Sequence, residues 1–116
     1  MSSCDEMNNT SPFACNMNAL SREARVRHAE LGEFLRLGLS GVRELSNGYE
    51  FEFPRLPANY RALAELTPLE HACCPFFTIS IVLGQTDKFA WQLTGSEGIK
   101  EFIRIEFGPW FQAGSH

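Results

Sequence analysis

The pair Asn47-Gly48, set between Val42 to Leu45 on one side and Tyr49 to Phe53 on the other, constrains the fold more than any other feature of the chain. Both residues tolerate positive φ, which a two-residue type I′ turn requires, so the flanking stretches are predicted to fold back as an antiparallel hairpin. In the second stretch Tyr49, Phe51 and Phe53 alternate with Glu50 and Glu52. A strand with that alternation buries one face and wets the other, so something must pack on one side of the sheet only. A second hairpin is expected where Phe77, Ile79, Ile81 and Leu83 alternate with Phe76, Thr78, Ser80 and Val82, and where Phe89, Trp91 and Leu93 follow a loop around Gly84 to Lys88.

Helical patterns separate and flank the hairpins. The first starts after Ser21, an N-cap with Glu23 near the positive end of the helix, and runs to about Leu39. Ala24, His28, Leu31, Leu35 and Leu39 fall on one face, which puts His28 on the side that meets the core. The second carries Tyr60, Leu63 and Leu66 and meets Pro68, where Thr67-Pro68-Leu69-Glu70 has the form of a capping box with proline at the first helical position. That helix is expected to kink or restart there and to stop near Cys73, ahead of Pro75. The third has Thr94-Gly95-Ser96-Glu97 as its start, Ile99, Phe102, Ile103 and Glu106 at helical spacing, and Gly108-Pro109 as its stop. The expected class is α+β: an N-terminal helix followed by two ββα units, with a four-stranded antiparallel sheet and helices on one face. Residues 1–12 are expected to be a flexible arm, 13–108 a single α+β domain, and 109–116 a tail whose Trp110-Phe111 either docks or forms a sticky end.

Charge and apolar run lengths narrow the function. Across 116 residues, 14 acidic side chains stand against 10 basic ones, a net charge of −4, so the chain offers no positive field to a nucleic acid. The longest nearly unbroken apolar stretch runs only from Phe76 to Leu83, against about 20 residues for a membrane-spanning helix, so no membrane association is expected. Met1 to Pro12 is polar and acidic, without the basic end and apolar stretch of a secretory signal, and a cytoplasmic location follows as the expectation. In that compartment four cysteines point to metal or thiol chemistry rather than disulfides.

Soft and titratable groups concentrate in Glu70-His71-Ala72-Cys73-Cys74-Pro75-Phe76-Phe77. Adjacent thiols where a helix gives way to a strand need not diverge by the helical angle, and two thiolates suit zinc, copper(I), mercury(II) or trivalent arsenic. Cys15, just before the first helix, offers a third sulfur, and His28 a nitrogen. Glu70, one turn before the cysteine pair, is a further ligand or the acceptor that orients a histidine. The candidate metal site is therefore Cys15, Cys73, Cys74, His28 and Glu70. Each residue also has a structural reading: buried cysteines as small hydrophobes, Glu70 as the capping partner of Thr67, His28 as a hydrogen-bonded core histidine. No Ser-His-Asp grouping or Gly-rich phosphate loop accompanies them.

The stretch from Glu70 to Phe76 resembles a group of small bacterial proteins that carry an acidic residue ahead of Cys-Cys-Pro-Phe. The similarity takes in Phe13-Ala14-Cys15 with Leu20, Arg25-Val26-Arg27-His28, Asn47-Gly48-Tyr49-Glu50-Phe51, and Leu93 to Phe102. It implies one compact cytosolic domain, and it departs at His71, where a basic residue such as Arg is expected. Three functions follow as expectations. The first is binding of a soft metal or metalloid ion, zinc among them, for sensing, sequestration or delivery. The second is a thiol-dependent or metal-assisted enzyme in which Cys73 or Cys74 reacts and His28 or His71 serves as acid or base. The third is a noncatalytic interaction module, a homodimer for instance, using Trp110, Phe111 and the open sheet face.

Overall fold

A computed structural model describes residues 13–114; the predicted arm at 1–12 lies outside the described residues. After a 3-10 turn at Met17–Ala19, the elements are α1 (Arg22–Leu37), β1 (Gly41–Leu45), β2 (Gly48–Pro54), α2 (Pro57–Cys73), β3 (Thr78–Leu83), β4 (Lys88–Thr94), α3 (Ile99–Glu106) and α4 (Gly108–Gly114). The fold is α+β with one four-stranded antiparallel sheet, ordered β1-β2-β4-β3. The two hairpins thus meet through their second strands, Phe51 opposite Trp91 and Phe53 opposite Phe89.

Alternation along β2 and β4 decides which side of the sheet is covered. Tyr49, Phe51, Phe53, Phe89, Trp91 and Leu93 are buried among Leu35, Leu63, Phe102 and Ile103 from the helices. On the other side Glu50 sits between its strand neighbours Arg43 and Gln92 and bonds both, at 3.0 and 2.8 Å. Its burial leaves no unpartnered polar atom, which is the condition for placing a carboxylate there without a large penalty.

Local chemistry departs from the sequence reading in several places. The turn of the first hairpin is Ser46-Asn47, with Leu45 paired to Gly48, and among the described residues only Gly98 has a positive φ, so the turn is not type I′. Gly48 is needed for a different reason: a Cβ there would lie 1.9 Å from the Leu93 carbonyl oxygen of β4. Pro68 does not restart the helix, because α2 is continuous from Pro57 to Cys73. Thr67 therefore has no capping role; its hydroxyl donates to the Leu63 carbonyl at 2.7 Å and accepts the Trp91 indole N–H at 3.0 Å. Helix α3 begins at Ile99, after Gly98 in the left-handed conformation, with no side-chain cap. The first helix ends at Leu37, two residues short of the expected boundary, and Leu39 still reaches the core.

The tail docks. Gly108–Gly114 form α4, and Trp110 packs on Phe51 with ring centroids 5.4 Å apart while Phe111 meets Tyr49 edge-on at 4.9 Å. Burial of Trp110 removes it from any exposed sticky end. Among the described residues no helix is long and apolar enough to cross a membrane.

Candidate metal centre

Cys73 is the last residue of α2 and Cys74 its C-cap, at φ −130° and ψ 70°. Pro75 favours this change, since a proline disfavours helical geometry in the residue before it, a bias that Thr67 ahead of Pro68 overcomes inside α2 but Cys74 at the helix end does not. Side chains that would diverge by about 100° on a continuing helix are instead brought together, with the two Sγ atoms 3.8 Å apart. A tetrahedral ion with metal–sulfur bonds of about 2.3 Å has ligand sulfurs roughly 3.8 Å apart, so the pair is spaced as two ligands of one ion would be.

Cys15 joins them from the segment ahead of the 3-10 turn. Two contacts hold that segment against the end of α2: the Asn16 N–H donates to the Cys73 carbonyl at 2.7 Å, and the Phe13 ring packs against Phe76 and Phe102. Cys15 Sγ lies 2.7 Å from Cys74 Sγ, longer than the roughly 2.05 Å of a disulfide and shorter than a ligand–ligand edge. Widening that edge needs roughly 1 Å of movement. Cys15 lies outside regular secondary structure, where such a shift is least resisted.

Helix α1 supplies the nitrogen. Its Arg27 makes a two-pronged pair with Glu65 of α2, at 2.7 and 2.8 Å, which sets the two helices side by side one residue from His28. His28 Nε2 then meets Glu70 Oε1 at 2.8 Å, and ligand atoms of His28, Glu70 and Cys73 all lie within 4.8 Å of one another. His28, Glu70 and Cys73 thus form one group, and Cys74 and Cys15 extend it through the sulfur contacts at 3.8 and 2.7 Å; Glu70 engages His28 rather than Thr67. His71 is not among them.

Charge at the cluster is strongly coupled. Burial lowers the His28 pKa, but hydrogen bonds to Cys73 and Glu70 outweigh it and raise the imidazole to about 9. Burial pushes the Glu70 carboxyl up, against the hydrogen bond from His28. The Cys73 thiol is held far below its usual value by hydrogen bonds from Cys15 and Cys74 and by the imidazole beside it. Cys15 is pushed far up by its hydrogen bonds to Cys73 and Cys74, then by burial. For Cys74 the largest influence, its hydrogen bond with Cys15, lowers the pKa, but the Cys73 thiolate and burial together push it up. Three sulfurs this close cannot all ionise unaided, and a cation among them is what would allow it. The negative end of the α2 dipole disfavours a thiolate at this helix end, and these donors act against it at Cys73.

The cluster forms the floor of a cleft of about 250 Å³. Cys15, His28, Glu70 and Cys73 line it, whereas Cys74 does not, although Cys73 and Cys74 are both buried. Sequence reasoning missed the other walls: the apolar Met17, Leu66, Phe107, Pro109 and Trp110, the charged Glu33, Arg36 and Glu106, and Ala29 and Gly32 of α1. Gly32 carried a readable signal: a glycine inside a helix, one turn beyond His28, costs stability that alanine would not. No known protein family, curated protein or solved structure matches the chain.

Proposed function

We propose that this protein binds a soft metal or metalloid ion through the thiolates of Cys15, Cys73 and Cys74, with His28 and Glu70 completing the site. The observation that carries the reading is the convergence of three sulfurs with a hydrogen-bonded imidazole and carboxylate at one helix end. Buried structural cysteines have no need of such company; hydrocarbon around each would suffice. Thiolates suit zinc, copper(I), mercury(II) and trivalent arsenic, and Glu70 orients the histidine as the acceptor behind a metal-ligating imidazole does. The chain is proposed to act in the cytoplasm, where thiols remain reduced.

Elemental analysis of protein purified without an affinity tag is expected to show near-stoichiometric metal or, after loading under reducing conditions, near-stoichiometric uptake of zinc, copper(I), mercury(II) or arsenite. The double variant Cys73→Ser, Cys74→Ser is expected to abolish it. Failure of all four to bind the reduced native protein would overturn the proposal.

A further inference from the structure

The volume beside the sulfurs is larger than a bare ion needs, and its lining is more apolar than polar. Met17, Leu66, Phe107, Pro109 and Trp110 offer hydrocarbon and aromatic surface beside the thiols, while Glu33, Arg36 and Glu106 supply the charged part of the wall. Gly32 adds a second observation. It lines the cleft from inside α1, and a Cβ built on it meets nothing within 4 Å, so no neighbour forbids a side chain there. A helix that gives up the better propensity of alanine at a position with room for it leaves the cleft open. An apolar cavity of about 150 Å³ is enough for benzene, so about 250 Å³ holds an aromatic ring and the atom that carries it.

From this, and resting on the ion-binding reading above, we infer that the site takes a trivalent arsenic centre bearing one organic group, with arsenic on the thiols of Cys15 and Cys73 and the group in the cleft. Valence selects arsenic among the soft centres. A monosubstituted trivalent arsenic has two bonds left for sulfur, and two of the three clustered cysteines line the cleft. A monosubstituted mercury has one bond left, and a single cysteine would serve it. In the loading step an organoarsenic(III) oxide meets the two sulfurs, two As–S bonds form and the arsenic–oxygen bond breaks. The oxygen leaves as water with the Cys15 thiol proton and one proton from solvent, the Cys73 sulfur entering as thiolate, and arsenic stays trivalent.

The test uses the reduced full chain with phenylarsine oxide and arsenite as probes, each titrated against a competing dithiol and read by intact-protein mass spectrometry. Gly32→Leu projects a side chain into the cleft without touching a thiol. It is expected to weaken phenylarsine oxide at least ~10-fold, the scale for a group that no longer fits its pocket, and to leave arsenite binding unchanged. Gly32→Ala is expected to fall between native and Gly32→Leu. Unchanged arsenite binding in the variants doubles as proof that they fold. If Gly32→Leu binds both probes as tightly as the native protein, the organic group is not in the cleft and this inference fails while ion binding stands. If native protein takes up neither probe nor any other soft ion, the underlying reading fails first.

Discussion

Beneath the sheet, Phe51 packs ring against ring with Trp91, Phe107 and Trp110, at centroid distances of 6.3, 5.7 and 5.4 Å. At the C-terminal end of α2 the interior is instead three sulfurs, an imidazole and a carboxylate, each satisfied by another member of the group. Both regions are buried, but burial does opposite things in them. In the first it is the source of stability, since apolar area leaves water. In the second it costs free energy that only mutual hydrogen bonding offsets. A fold needs the first kind of interior, and nothing in packing asks for the second, which is why the α2 end is read as a site.

The sharpest way to break this contrast is to truncate one residue in each region. Phe51→Ala is expected to lower unfolding stability by about 3–5 kcal/mol in denaturant titration, with ion uptake retained wherever the chain is still folded. A loss as large from Cys74→Ala would erase the distinction and make the thiol cluster a structural core.

A smaller effect separates the carboxylate from the sulfurs. Glu70→Gln keeps size and one acceptor but removes the charge facing His28, so ion affinity is expected to fall about 10–100-fold in competition with a chelator. Stability at neutral pH is expected to fall as well, because the substitution leaves the His28 imidazolium without its anionic partner. A marked loss of stability with unchanged affinity would assign Glu70 to the fold alone.

The smallest effect lies outside both regions. Glu33, Glu65 and Glu44 are held below the ordinary carboxylate value of 4.5 by hydrogen bonds from Arg36, Arg27 and Lys100. Their folded pKa is depressed, so their contribution is present above pH 4.5 and is lost as pH falls through the folded values. These pairs are solvent-exposed, so the acid-side drop in Tm is expected to be small and to shrink with added salt. A drop independent of salt would place its origin in the buried groups.

Periodicity made much of the fold legible. Alternation in β2 and β4 identified their buried faces, and helical spacing in α1 placed His28 with Leu31 and Leu35 on the inner side. The turn chemistry was misleading because Asn47-Gly48 fits two demands equally well: positive φ in a turn, or close passage of a neighbouring strand. Only the position of Leu93 decides between them. Thr67-Pro68-Leu69-Glu70 misled in the same manner, since the residues that cap a helix start are also able to reach across to Trp91 and His28.

Residue order alone determined the α+β class, the amphipathic faces and the clustering of Cys73 with Cys74, because these depend on spacing within a few residues and on the bias that Pro75 places against helical backbone at Cys74. Tertiary structure decided that Cys15 and His28 reach that pair, and that a largely apolar cleft opens beside them. Such meetings depend on contacts distant along the chain, the Asn16 bond to Cys73, the Arg27 pair with Glu65 and the docking of Trp110, and no local pattern encodes them.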